Sequence, residues 1–267
     1  LAALVHDFSI DYIASYTDRT TEIPYLLSAV WAGQAGSLLV WATMLAWMGV
    51  LLSKRLEREA PNLEPAAMGA LSLLLGFFII VLVGWSNPFA INPGEAPADG
   101  SGLNPLLRNL LMIFHPPALL AGYAAYGPPA AITAAALITG DADKTFLREL
   151  RHWSLIAWVA LTIGNVLGMV WAYGELGWGG YWGWDPVENA ALIPWLTGSA
   201  LVHVVILEQR ARLMKGFSAL FTLITFWLTI FGTYLTRSGI VASVHAFGRT
   251  VVADAFAILL AIIAVTV

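Results

Sequence analysis

The chain has 267 residues, of which 59% are hydrophobic and only 11% charged, and its mean hydropathy is +0.75. Soluble globular domains carry about a quarter charged residues, so this composition excludes one and places the chain in a bilayer. The formal charge of -4 excludes nothing by itself, whereas the lack of Cys excludes disulfides, thiolate metal sites and thiol nucleophiles of the chain's own.

Apolar runs occur at Leu26 to Leu52, Leu63 to Trp85, Pro117 to Ile138, Trp153 to Tyr173, Val187 to Leu207 and Phe217 to Tyr234, then from Val251 onward. Each is about 18 residues or longer, enough to cross ~30 Å of hydrocarbon as a helix, which predicts about seven spans. The expected fold is all-α, a multi-spanning transmembrane helix bundle forming one domain over residues 1–267. The chain starts at Leu1, has its first Met at Met44, and ends in an apolar run without a polar flank. It therefore reads as part of a longer protein. Pro128 and Pro129 follow Gly127 inside one run, and two missing backbone donors predict a kink or break there.

The loops between the runs alternate in charge. One set holds Lys54, Arg55, Arg58, Lys144, Arg148, Arg151, Arg210, Arg212 and Lys215, and the other only Arg19, Arg108, Arg237 and Arg249. By the positive-inside rule the first set is cytoplasmic and residues 1–24, 86–116, 174–186 and 236–250 face outward. Membrane lipid is the expected surrounding, and nucleic acid is not an expected partner.

The third outer loop, within residues 174–189, places Trp178, Tyr181, Trp182 and Trp184 among Gly177, Gly179, Gly180 and Gly183. Flat aromatic faces beside bare backbone suit a large planar apolar ligand, while an interfacial aromatic belt is the competing explanation. Adjacency and glycine, which a belt does not need, favour the ligand. Asp185, Pro186 and Glu188 fit a helix start, with Asp185 as N-cap and Glu188 closing a capping box. That structural role competes with one as catalytic acid or base.

Two histidines flank this loop. His115 begins a span just before Pro116 and Pro117, and His245 lies in the last outer loop. Imidazoles from two loops suit an iron held from both faces, against the alternative of ordinary loop histidines. His203 lies about 17 residues beyond Pro186, ~25 Å along a helix, and an ionisable group at that depth is either functional or bonded to a neighbouring helix's carbonyl. Arg108 and Arg237 are outer basic residues suited to a carboxylate or to plain surface charge. His6 and His152 carry no assignment.

The stretch WGGYWGWDPVENAALIPWL from Trp178 resembles the tryptophan-rich WWD signature of haem-handling proteins in cytochrome c biogenesis. WAGQAGSLLVW from Trp31, NPLLRNLLMIFHPP from Asn104 and TRSGIVASVHAF from Thr236 resemble the CcmF family in the same order. Departures fall at Tyr181 and Gly183, where larger aromatics are usual, and at Gln34 and Ala35, where an acidic residue is common.

The resemblance implies a haem lyase that binds haem at the outer membrane face and promotes its thioether attachment to the CxxCH motif of apocytochrome c. It implies His115 and His245 as haem-iron ligands, with Trp178, Gly179, Gly180, Tyr181, Trp182, Trp184, Asp185 and Arg237 around the transient haem substrate. It further implies His203 as one ligand of a buried haem b that donates electrons, the other ligand lying on a later helix beyond this chain. Implied partners are a CcmE-like haem carrier, a CcmH-like thiol-handling subunit and apocytochrome c, at a bacterial inner membrane with the tryptophan loop on the periplasmic side. A haem transporter, a CcmC- or CcsA-type haem-delivery protein and a structural scaffold are the alternative readings.

Overall fold

A computed structural model describes residues 1–211 and 216–266, with no side-chain description at Thr266. Arg212 and Lys215, two of the expected cytoplasmic cations, lie outside the described residues. The regular structure of the described residues is helical, apart from one isolated bridge between Ile10 and Ile91. The helices are α1 (Asp11–Tyr16), α2 (Ile23–Ala32), α3 (Gln34–Glu59), α4 (Glu64–Gly84), α5 (Leu111–Ala125), α6 (Gly127–Thr139), α7 (Lys144–Glu175), α8 (Pro186–Ala211), α9 (Phe217–Ser238) and α10 (Val251–Thr266).

Five of these, α3, α4, α7, α8 and α9, are long and apolar enough to cross a membrane. Two of the seven expected spans differ, because the third run is cut into α5 and α6 and the last described helix has 16 residues. The cut falls at Tyr126, directly before Gly127, Pro128 and Pro129. Prolines fit the first turn of a helix and not its interior, so the pair starts α6 where it would have broken a continuous helix.

The first run is also split, at Gly33, between α2 and α3. Hydropathy is continuous across this point, and the cause is tertiary. The Gly33 amide donates to the Tyr12 hydroxyl at 2.9 Å, and that hydroxyl donates to the Ala29 carbonyl at 3.1 Å. A Cβ on Gly33 would lie 2.3 Å from the Tyr16 ring, and one on Gly36 would lie 1.8 Å from the Val30 carbonyl oxygen. Burial pushes the Tyr12 phenol up, so it stays protonated and able to donate.

Prolines inside α5 and α8 free carbonyls four residues earlier, and side chains of neighbouring helices occupy two of these. Pro116 frees Met112, whose carbonyl accepts from the Trp31 indole at 2.8 Å. Pro194 frees Ala190, whose carbonyl accepts from the Tyr123 hydroxyl at 3.4 Å. In hydrocarbon an unpartnered carbonyl is costly, so these two bonds make the interrupted helices tolerable and tie α2 to α5 and α5 to α8.

α5 lies along α7, α8 along α7 and α9, and α4 against α6. The core fills between them with Leu38, Trp41, Leu45, Phe78, Tyr126 and Phe256, each at most 2% exposed. The α5–α7 contact is a glycine crossing. A Cβ on Gly122 would stand 2.6 Å from the Leu161 Cα, and one on Gly164 would stand 2.7 Å from the Leu119 Cα. Small residues let the two backbones approach this closely, as at helix interfaces within membranes.

Polar contacts sort the loops into the two sets that charge alternation predicts. At one end the buried Glu149 carboxylate accepts from Arg55 at 2.5 Å and from Arg148 at 3.2 Å, and Arg148 also reaches Glu59 at 2.8 Å. Among the other set, Arg108 pairs with Asp18 at 3.1 Å, the Asn109 amide donates to Glu175, and residues after α9 meet Asp185. Hydrogen bonds from Thr20 and Thr21 and the nearby Arg108 hold the Asp18 carboxyl below the usual carboxylate range. Glu149→Ala is expected to lower the stability of the detergent-solubilised protein by about 1–3 kcal/mol, less than a fully buried pair because Arg55 is partly solvated. Thermal melts of the wild type, the single variants and the Arg55/Glu149 double variant measure it.

Candidate functional site

The start of α8 organises the site. The Asp185 carboxylate accepts from the Val187 amide at 2.8 Å, and Glu188 accepts from the amides of Gly183 at 2.9 Å and Asp185 at 3.1 Å. This is the capping box read from the local spacing, with one added bond that fixes Gly183 as well. Asp185 is buried and also outward-bonded. The same Oδ1 accepts from the Ser243 hydroxyl at 2.7 Å and lies 3.3 Å from His245 Nδ1. One carboxylate thus caps a helix and orients an imidazole from the loop after α9.

His115 is oriented by a different acceptor. Its Nδ1 lies 3.0 Å from the Gly164 carbonyl oxygen of α7, and a Cβ on Gly168 would stand 2.7 Å from its ring. The imidazole fills the space that glycine leaves on α7. In the neutral form of both His115 and His245, an oxygen acceptor at Nδ1 favours the proton there and leaves Nε2 to offer its lone pair. Metal-ligating histidines carry the same outer bond, which raises the basicity of the ligating nitrogen.

The two imidazoles meet on one indole. His115 stacks on Trp171 with centroids 6.3 Å apart and planes 15° apart, and His245 packs against the same ring at 5.6 Å and 64°. Trp171, 4% exposed near the end of α7, carries no role in the sequence reading. Its position at the edge of the tryptophan loop was the available signal, but its partners arrive from α5 and from beyond α9.

The loop itself presents open aromatic faces. Tyr181 stacks on Tyr173 at 4.5 Å, Trp182 meets Trp184 edge-on at 6.2 Å, and the Trp178 ring lies against Gly183, where a Cβ would stand 2.7 Å away. Tyr181 and Trp184 are 56% and 70% exposed. The backbone turns through positive φ at Gly177, Gly179 and Trp184. Trp184 alone of these has a side chain, and that strain is met by the bonded residues beside it, Gly183 and Asp185. Gly180 is half-buried between Gly179 and Tyr181.

Arg237 departs from its expected setting, because α9 runs on through it to Ser238 and buries the side chain to 4% exposure. Its guanidinium donates to the Thr233 carbonyl, the Thr236 hydroxyl and the Ser37 hydroxyl, and stands over the Phe247 ring at 5.1 Å. Its own carbonyl accepts from the Thr250 amide, so it braces the loop that carries His245. Arg108 stays at the surface, paired with Asp18.

His203 stands apart from these residues. It is exposed on α8, with Nδ1 2.8 Å from the Ser199 carbonyl of its own helix. This bond again leaves Nε2 free, so the residue fits one axial position of a haem lying on that face. Trp158 and Trp195 stack beside this stretch, each donating its indole N–H across to a hydroxyl on the opposite helix, Ser199 and Thr162.

A family model described as cytochrome c assembly protein matches residues 31–241. The chain belongs to that family. The matched stretch includes His115, Trp171, the tryptophan loop, His203 and Arg237, and ends just before Ser243 and His245. Among curated relatives, the chain is 46% identical over 91% of its length to the cytochrome c-type biogenesis protein CcmF of Haemophilus influenzae, covering 38% of that protein. It is 41% identical to the probable cytochrome c-type biogenesis protein NrfE of Escherichia coli, over 91% of this chain and 44% of that one. A solved structure named cytochrome c heme lyase CcmF superposes with a TM-score of 0.76 at 30% identity, covering 98% of this chain and 40% of that one. The chain thus spans less than half the length of these relatives.

Proposed function

We propose that this chain forms the haem-presenting part of a cytochrome c haem lyase, in a bacterial inner membrane with the tryptophan loop on the periplasmic side. The observation that carries this reading is the pair His115 and His245, packed on one indole with both Nε2 atoms free. Residues 174–189 act as the haem-handling loop. Trp178, Tyr181, Trp182 and Trp184 offer their faces to the porphyrin, and Gly179 and Gly180 let it approach the backbone.

The haem is substrate here. Each thiol of the apocytochrome CxxCH motif adds across one vinyl group, forming a carbon–sulfur bond while its hydrogen goes to the other vinyl carbon, with no net oxidation. The thiols are the partner's, consistent with a chain that has no Cys. The chain contributes position and exclusion of side reactions, which supply much of such a rate enhancement. Asp185 and the Gly164 carbonyl hold the two imidazoles, and Arg237 keeps the His245 loop closed.

His203 would hold a resident haem b from one side, whose chemistry is to supply an electron that keeps the substrate iron ferrous. A CcmE-like carrier delivers haem, and a CcmH-like subunit handles the thiols. In the purified full-length protein, low-spin bis-histidine absorbance is expected. Its loss when His115, His203 and His245 are replaced together supports the reading, and retention of all haem by that triple variant overturns it.

A further inference from the structure

Among the described residues, Trp171 has the one indole in ring contact with both candidate iron ligands, and its Nε1 is buried without an acceptor. Buried donors in folded proteins are almost always satisfied, and an orphan beside a candidate ligand site has a ready partner in the ligand's own acceptor atoms. Elsewhere in the bundle four indole N–H groups find oxygen, Trp31 on Met112, Trp158 on Ser199, Trp195 on Thr162 and Trp227 on Leu260, while Trp153 near the other end of α7 is orphaned too but touches neither histidine ligand. In the tryptophan loop Trp182 has the same orphaned Nε1. The acceptor atoms that an iron porphyrin brings to such a donor are the oxygens of its propionate carboxylates.

We propose that Trp171 is a substrate-contacting residue whose indole N–H donates to a propionate carboxylate of the haem held between His115 and His245. The ring sets the spacing of the imidazoles, and the N–H fixes which edge of the macrocycle turns inward. A fixed edge also fixes where the vinyl groups point, so the residue acts on the regiochemistry of thioether formation. This rests on the bis-histidine reading given above.

The test is Trp171→Phe in the full-length protein, which keeps an aromatic ring against both histidines and removes the donor. Two probes are titrated: iron protoporphyrin IX, and iron etioporphyrin, which has no carboxylates. The variant is expected to bind protoporphyrin about tenfold more weakly with an unchanged low-spin spectrum, and to bind etioporphyrin as the wild type does. An equal loss for both probes, or no loss for either, overturns the proposal. Failure of the wild type to bind protoporphyrin at all through His115 and His245 instead overturns the reading on which it rests.

Discussion

Gly164→Ala is expected to remove bis-histidine haem binding and to destabilise the helix bundle together. The added Cβ would stand 2.7 Å from the Leu119 Cα and 2.8 Å from its amide nitrogen, both backbone atoms that no rotamer change can move. α5 must therefore lift from α7, at a cost of about 1–3 kcal/mol or more for an overpacked contact. The lift also carries His115 away from the Gly164 carbonyl that orients it. Gly76→Ala is the control, since nothing lies within 4 Å of its Cβ position. Thermal melts and the low-spin absorbance of both variants check this. A Gly164→Ala protein with wild-type melting and spectrum would contradict the crossing described here.

Asp185→Ala is expected to separate two roles that one carboxylate combines. Loss of the N-cap destabilises α8 by about 1 kcal/mol. Loss of the bond to the ligand histidine weakens haem binding by about ten- to a hundredfold, the usual effect of removing such an outer partner. Asp185→Asn keeps an oxygen for the Val187 amide and for Ser243, but removes the negative charge 3.3 Å from His245. It should retain the melting temperature and show a raised reduction potential, because a less basic imidazole stabilises ferric iron less well. Equal haem affinity in the Ala variant and the wild type would rule out Asp185 as the partner of an iron ligand.

Features encoded locally were legible in the sequence, and those set by distant contacts were not. The capping box needs only Asp185, Glu188 and the backbone between them, so spacing alone predicted its hydrogen bonds. Pro128 and Pro129 announce their break in the same way. The break at Gly33 is written in Tyr12 and Tyr16 as much as in the glycine, and the hydropathy of Leu26 to Leu52 runs straight through it. Arg237 falls in the expected outer loop 236–250, yet the structure lets α9 continue by giving the guanidinium hydroxyl and carbonyl acceptors and two aromatic rings. The distance of His203 along α8 from the loop follows from counting residues, but its exposure depends on which face of α8 meets α7 and α9. Trp171 became visible only once His115 and His245 arrived beside it from opposite ends of the sequence.

The capping box has a mechanical meaning beyond its hydrogen bonds. Through Glu188 the rod of α8 grips the tryptophan loop at Gly183 and Asp185, and the same rod, braced across Pro194 by the Tyr123 bond to the Ala190 carbonyl, carries His203 ~25 Å further on. A helix fixes azimuth as well as length, about 100° for each residue. The loop and His203 are therefore indexed to one another like marks on a ruler, and neither can turn about the rod's axis without the other.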